Sequence, residues 1–184
     1  MALARVRPAT PQDVPVLTAL HRATWRAAYV ELLPAETLDR LDSPDVQQAW
    51  ADTVAGGATV LLATEGDEAV GFVVAGPAPE DEVAAADGSL PTDATQTVLV
   101  STLLVEPRWG RRGHGGRLLA AAAAALRDAG ATRGIAWVPA EDPASLSFYR
   151  RAGWDPDGTV RTLDAGGRAL REVRLTGSLD LTLR

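Results

Sequence analysis

The sequence contains no cysteine, no lysine and no asparagine, and each absence excludes a class of chemistry. Without cysteine there is no disulfide framework, no thiol nucleophile and no thiolate zinc site, and we predict no metal site. Without lysine there is no phosphate loop of the G-x-x-x-x-G-K-[ST] type and no Schiff base, so pyridoxal-phosphate attachment is excluded. Without asparagine the chain has no N-glycosylation acceptor.

The charge balance and hydropathy exclude further classes of partner. The formal net charge is -6, which argues against binding nucleic acid over a wide face. No stretch reaches about 18 consecutive apolar residues, and the first ten residues lack the apolar core of a signal peptide. We therefore expect a cytoplasmic protein with no membrane partner, folded as a single domain over residues 1–184.

Hydrophobic periodicity and turn residues predict a mixed α/β domain. Strands are expected at 5–8, 59–64, 69–75, 97–105 and 133–138, and helices at 10–29, 43–54, 116–129 and 143–152. The strand at 97–105 is almost wholly apolar, which predicts a central strand covered on both faces. Residues 77–95 lack periodicity and predict a flexible loop. The last thirty residues alternate and predict an antiparallel pair, with turns at 155–158 and 165–167.

The most informative segment is the glycine-rich turn that follows the apolar strand, with the sequence VEPRWGRRGHGGRLL over residues 105–119. Glycines leave backbone N–H groups bare, and the positive end of the next helix points the same way, so the turn suits a pyrophosphate. Arg111, Arg112 and Arg117 add positive charge. The alternative is a tight strand-to-helix connection with exposed arginines. A dinucleotide-binding turn is disfavoured because Leu118 stands where its third glycine belongs.

At these residues the sequence resembles the GNAT superfamily of acyl-CoA-dependent N-acyltransferases. The family signature is a strand ending V-x-P, then R/Q-x-x-G-x-G/A, then a helix. Gly113 and Gly115 match its two small positions, whereas Gly110 stands where the family has Arg or Gln. The resemblance implies a GNAT-like fold, with a mixed sheet of six to seven strands flanked by about four helices.

A second block, residues 142–154 (DPASLSFYRRAGW), resembles the family pattern N-x-x-A-x-x-F-Y-x-x-x-G-F. Phe148 and Tyr149 match it, and Asp142 and Ser145 are conservative variants. The resemblance implies acetyl transfer from acetyl-CoA to a primary amine, with Tyr149 as the general acid that protonates the leaving thiolate.

The resemblance also assigns the acetyl-CoA site. Main-chain groups at the end of the apolar strand would pair with the pantetheine arm, and backbone N–H groups of 111–116 would hold the pyrophosphate. The residues assigned to cofactor binding are Leu103, Leu104, Val105, Arg111, Arg112, Gly113, His114, Gly115, Gly116, Arg117, Asp142, Ser145 and Phe148.

The sequence does not reveal a general base. Many relatives carry Glu on the central strand where this chain has Leu99, and no carboxylate lies between residues 97 and 104. Ser101 or Thr102 acting through water, Glu31, or an amine that arrives neutral are the alternatives. His114 is not expected to be the base, because its position in the phosphate turn usually carries an apolar residue.

The acceptor site is also left open. Trp25 and Tyr29 lie one helical turn apart, on a face that borders the acceptor groove in relatives or packs in the core. The amine could belong to a small molecule, a peptide N-terminus or a lysine side chain. The alternative function is a non-catalytic acyl-CoA-binding or sensing module on the same fold. Because dimers are common among similar proteins, a homodimer is among the expected assemblies.

Overall fold

A computed structural model describes residues 3–181, which form a seven-stranded sheet with helices on both faces. The helices are α1 (Val14–Tyr29), α2 (Ala35–Asp39), α3 (Pro44–Ala55), α4 (Glu80–Val83), α5 (His114–Asp128) and α6 (Pro143–Arg151). The strands are β1 (Ala4–Pro8), β2 (Thr59–Glu65), β3 (Glu68–Pro77), β4 (Thr97–Val105), β5 (Arg133–Pro139), β6 (Asp155–Asp164) and β7 (Ala169–Ser178). Short 3₁₀ turns cover Pro11–Asp13, Arg40–Asp42, Ala94–Gln96 and Pro107–Trp109.

The alternation of side chains along β2 separates two hydrophobic clusters, because successive residues of a strand point to opposite faces of the sheet. Leu61 packs with Leu118 of α5 in one cluster, whereas Leu62 packs with Leu17 of α1 and Trp50 of α3 in the other. Helices α1 and α3 therefore cover one face of the sheet, and α5 covers the opposite face. This arrangement confirms the mixed α/β fold expected from the sequence.

The sheet divides between its two central strands. The strand order is β1-β2-β3-β4-β5-β7-β6, and β4 and β5 form its one parallel pair among residues 3–181. They pair only from Thr97 to Leu99, while β3 accompanies β4 as far as Val105. Ser101 is an extra residue in the β3–β4 register, between the positions opposite Val74 and Ala75. A bulge bends its strand, which directs the rest of β4 away from β5 and opens a cleft.

This opening corrects the expectation that the apolar strand is covered on both faces. Val98 and Val100 are buried, but Ser101 is exposed and residues 102–105 are only half buried. Leu103 and Leu104 line the cleft and also pack against the two hydrophobic clusters, whereas Val105 packs against the core alone.

The terminal antiparallel pair is confirmed, but the turn predicted at 155–158 is wrong. These residues belong to β6, which pairs with β7 on both sides of an irregularity between Pro156 and Val160. Gly158 has a φ of 89°, so it supplies the left-handed conformation of a bulge rather than of a chain reversal. Proline, aspartate and glycine are common in tight turns and in strand bulges, so the local sequence does not distinguish a turn from a bulge.

The segment 77–95 contains helix α4, which contacts strand β7. Arg174 of β7 is buried and donates from Nη1 to the carbonyl oxygens of Glu82 and Ala84, each at 2.8 Å. Its Nε donates to Asp157 at 2.6 Å. These bonds hold the first part of the segment against β7, whereas the flexibility expected of 77–95 stays a prediction. No helix within residues 3–181 has the length and apolarity needed to cross a bilayer.

Candidate active site

The cleft between β4 and β5 has a volume of about 140 Å³ and an apolar, aromatic lining. Its walls come from β4, β5 and β7, with α1 and α6 closing two sides. The lining residues are Trp25, Tyr29, Leu33, Val100, Ser101, Thr102, Leu103, Leu104, Trp137, Val138, Pro139, Ser145, Tyr149, Leu170 and Glu172. The structure therefore brings Trp25, Tyr29 and Tyr149, which the sequence singled out, into one cavity.

Tyr149 is held in the cleft by aromatic packing. The residue is 6% exposed, its ring stacks on Trp154 with 5.4 Å between centroids, and Phe148 meets it edge-on at 5.1 Å. No described side chain or main-chain group hydrogen-bonds to the phenol oxygen. Burial raises the pKa of Tyr149 above its usual value, with a smaller contribution from Tyr29. The hydroxyl is therefore protonated at neutral pH and available to a ligand in the cleft.

Tyr29 lies near two carboxylates, Glu172 in the cleft lining and Asp142 outside it. Burial raises the pKa of Tyr29 to about 12, and the negative charges of Asp142 and Glu172 contribute further. Its ring packs edge-on against Trp25, with 5.4 Å between centroids. The sequence left open whether Trp25 and Tyr29 border a groove or pack in the core. Both residues line the cleft, and both also pack against the small hydrophobic cluster around Leu33.

The glycine-rich turn leads from β4 into α5, two residues earlier than the sequence suggested. Gly113 takes a φ of 81° before the first helical residue, His114. Arg111 has a φ of 61°, which is uncommon for a residue with a Cβ. The first N–H groups of α5 have no partner within the helix, so they point toward the turn as donors for an anion.

The side chain of His114 does not face that anion position. It is buried, and its Nε2 lies 2.9 Å from Oε2 of Glu65 at the end of β2. Trp109 packs edge-on against the imidazole ring. His114 was expected to contribute to cofactor binding, and in this geometry only its backbone N–H is available for that role. The side chain instead ties the start of α5 to β2.

The arginines of the turn are partly engaged in the protein. Arg112 approaches Glu65 with 3.3 Å between Nη1 and Oε1, and its guanidinium lies 4.7 Å from the Trp109 ring centroid. Arg117 donates from Nη1 to the carbonyl oxygen of Arg112 at 3.0 Å. Both side chains are exposed beside the anion position, so they still contribute positive charge there.

The turn and the cleft are joined through Gly115. A Cβ placed on Gly115 would lie 3.1 Å from the Phe148 ring and 3.7 Å from the Leu103 side chain. The small residue therefore lets α5, α6 and β4 meet. On the β5 side, no described strand pairs with β4 beyond Leu99, so its main-chain polar groups there are available to an extended ligand. The unpaired edge of β4 and the unpaired N–H groups at the start of α5 together fit an extended arm joined to a pyrophosphate, as in CoA.

The remaining predicted residues have structural roles as well. Asp142 caps α6 by accepting from the Ser145 N–H at 3.0 Å and from its hydroxyl at 2.7 Å. Gly116 lies in the first turn of α5. Glu31 is exposed and does not line the cleft, whereas Ser101 and Thr102 do. His21 packs between Trp25 and Trp50, and burial lowers its pKa.

Several lining residues were not predicted from the sequence, and two of them, Trp137 and Glu172, have side chains that can bind a polar or charged group. Trp137 lies on β5, and Glu172 lies on β7, 9% exposed, with its Oε2 accepting from Nε of Arg161 at 2.7 Å. A glutamate in a strand that alternates polar and apolar residues has the pattern of a solvent-facing side chain. Only the pairing of β7 with β5, next to the opening from β4, brings Glu172 to the cleft.

Comparison with known proteins identifies the class. The model of the acetyltransferase (GNAT) family matches residues 18–154. A probable N-acetyltransferase of Mycobacterium tuberculosis is 27% identical over 161 residues, which cover 86% of this chain and 83% of that protein. The family match covers the strand, the glycine-rich turn and α6, so the chain belongs to the GNAT acetyltransferase family and is an acetyltransferase.

Solved structures agree with the fold. The PaiA N-acetyltransferase of Thermoplasma acidophilum, in complex with coenzyme A, superimposes with a TM-score of 0.73 at 14% identity, covering 96% of this chain and 99% of that one. The putative acetyltransferase YncA of Salmonella typhimurium, with its cofactor acetyl-CoA, gives 0.68 at 21% identity, covering 96% and 94%. At these identities the similarity establishes the fold.

Proposed function

We propose that the protein transfers the acetyl group of acetyl-CoA to a primary amine within a ternary complex. The observation that carries the proposal is the continuity from the bare start of α5, through Gly115 and the open side of β4, to the buried hydroxyl of Tyr149. An anion site, an extended main-chain edge and a proton donor follow one another in the order that pyrophosphate, pantetheine and thioester follow in acetyl-CoA.

Different groups of the protein bind different parts of acetyl-CoA. Backbone N–H groups of 111–116 receive the pyrophosphate, with Arg111, Arg112 and Arg117 adding charge. Main-chain groups of 103–105 pair with the pantetheine arm, and Phe148 borders its path beside Gly115. Acetyl-CoA itself supplies an activated acetyl thioester at the position facing Tyr149.

Tyr149 is the general acid of this proposal. The amine nitrogen forms a bond to the carbonyl carbon as the carbon–sulfur bond breaks, and the phenol gives its proton to the leaving sulfur. The proton that the nitrogen loses on becoming an amide restores the phenol. Burial raises the pKa of Tyr149 and keeps its hydroxyl protonated until transfer. The same apolar surroundings also disfavour a charged thiolate, which favours proton transfer to the leaving sulfur.

The alternative is an acyl-CoA-binding module without turnover. The observation in its favour is that Leu99 stands where many relatives carry the strand glutamate, and in this fold Leu99 pairs with Ile135 outside the cleft. Retention of Tyr149 in the cleft favours catalysis. Cytoplasmic location and a homodimer stay predictions.

Thiol release separates the two functions. The protein is incubated with acetyl-CoA and, in parallel, with small primary amines, an N-terminal peptide amine and a lysine side-chain amine, and free CoA thiol is measured. We expect release that depends on an amine and an equal amount of acetylated amine. Acetyl-CoA binding without amine-dependent release for any amine would instead assign the binding-module function.

A further inference from the structure

The cleft contains one charged side chain among its described lining residues, and it is negative. The other lining groups are apolar, aromatic, hydroxylic or main chain, and Glu172 is the exception. Arg161 and Arg174 lie nearby but are absent from the lining and bind carboxylates and carbonyls behind it. Glu172 and Glu82 share the one guanidinium of Arg161, so this group carries one net negative charge at the cleft, which favours a single positive charge on the ligand.

Glu172 is held in a fixed orientation from behind. Its Oε2 accepts from Nε of Arg161 at 2.7 Å, and the same guanidinium donates from Nη1 to Glu82 of α4 at 2.9 Å. The guanidinium also lies 4.3 Å from the centroid of the Trp137 ring. The arginine therefore occupies one carboxylate oxygen and cannot swing into the cleft without breaking three contacts.

The second oxygen of Glu172 is available. Among residues 3–181, no group hydrogen-bonds to Oε1, and Oε1 is not among the fully enclosed side-chain atoms that lack a partner. Oε1 is therefore not sealed off from solvent, and Glu172 is a lining residue of the cleft. The groups that face Glu172 are Arg161 on β6, Tyr29 on α1 and, beyond Tyr29, Asp142 at the start of α6.

The residues around Glu172 also suit a ligand in which a cationic group is attached to an apolar body. Trp25, Tyr29 and Trp137 present aromatic surface in the same cavity, and aromatic faces attract cations and bury apolar groups. No described lining residue offers a positive charge for an acceptor that carries a carboxylate.

We propose that Glu172 is the acceptor-binding carboxylate: its Oε1 receives the ammonium group of a monocationic primary amine with an apolar or aromatic body, and takes its proton. This inference rests on the proposed acetyl transfer and supplies the base that β4 lacks. One N–H bond of the ammonium breaks and one O–H bond forms on Glu172, leaving a neutral amine for the attack. Glu172 returns that proton to solvent after turnover, so one proton is released for each acetyl group transferred.

Two isosteric amines test the assignment. Phenethylamine is an ammonium ion at neutral pH, whereas O-benzylhydroxylamine has the same shape but is neutral, so it needs no base. For Glu172→Gln we expect kcat/KM for phenethylamine to fall by about 100-fold, the lower range of general-base effects. The value for O-benzylhydroxylamine is expected to stay near that of the wild type.

Binding is measured independently of turnover. Calorimetry with CoA bound follows the affinity for phenethylamine, which we expect to fall at least about 10-fold in Glu172→Gln and to be retained better in Glu172→Asp. Glu141→Gln is the charge-matched control, because Glu141 is exposed and outside the lining. Glu82→Gln removes the other carboxylate on Arg161 and controls for damage to that network.

The outcomes separate the two proposals. Equal losses for both amines in Glu172→Gln, or no loss for either, would overturn the role of Glu172. Wild-type protein that fails to bind phenethylamine would overturn the acceptor class. Binding of phenethylamine that depends on Glu172 but without acetyl transfer to any amine would support the inference about the site and contradict the proposed function.

Discussion

Replacing Tyr149 by Phe is expected to lower kcat by roughly 100-fold or more, the usual contribution of a positioned general acid. The ring contacts with Trp154 and Phe148 do not involve the hydroxyl, so the variant keeps its packing. No described group hydrogen-bonds to that hydroxyl, and its loss leaves no orphaned partner in the core. Affinity for acetyl-CoA, measured by calorimetry, is therefore expected to stay unchanged while turnover falls.

Tyr29→Phe is the matched control, since Tyr29 is the other tyrosine of the chain and lines the same cleft. The proposed mechanism gives the Tyr29 hydroxyl no role at the thioester. We expect kcat in Tyr29→Phe to stay close to the wild-type value. Wild-type turnover in Tyr149→Phe would remove Tyr149 from the acid role, and a loss of acetyl-CoA affinity in that variant would make it a binding residue.

Gly113→Asp is expected to raise the Kd for CoA by at least about 10-fold, equivalent to about 1.4 kcal/mol. The new carboxylate stands in the turn that precedes α5, where the pyrophosphate would accept from backbone N–H groups, and two anions there repel. Its Cβ would lie 3.4 Å from the Arg117 guanidinium, so the aspartate also neutralises a nearby cation. Aspartate tolerates the φ of 81° better than most residues, which limits the strain.

Gly88→Asp is the control for fold and charge. Gly88 has a φ of 83° and open space where a Cβ would stand, so the substitution tests a similar backbone conformation and the same change in net charge outside the glycine-rich turn. Both variants are expected to show similar small changes in thermal stability, while only Gly113→Asp loses affinity for CoA in calorimetry. Normal CoA binding by Gly113→Asp would place the pyrophosphate elsewhere.

The sequence was most informative where local geometry determines chemistry. The glycines around residue 113 indicated a helix start with bare backbone N–H groups, and α5 begins there, at His114. The pattern around Tyr149 indicated a helix at 143–152, and α6 lies there with Tyr149 buried in the cleft lining. These features depend on residues within one turn of each other, so a single sequence is sufficient.

Features that depend on pairing between distant strands could not be predicted. The opening of the cleft requires the extra residue Ser101 in the register with β3, which no local pattern in β4 reveals. Glu172 reaches the cleft because β7, late in the chain, inserts next to β5 rather than at the sheet edge. The side chain of His114 is directed at Glu65, 49 residues earlier, and this contact too is set by the tertiary fold.

A thermal-shift comparison of acetyl-CoA, CoA, NAD and ATP tests most directly whether the cleft and the glycine-rich turn form an acetyl-CoA site. A ligand that binds only the native state stabilises it by about 2.7 kcal/mol at about 100 times its Kd. We predict clear upward shifts in Tm with acetyl-CoA and CoA and much smaller ones with NAD and ATP. No shift with either CoA compound, or an equal shift with NAD, would contradict the account and leave the glycine-rich turn a structural connection.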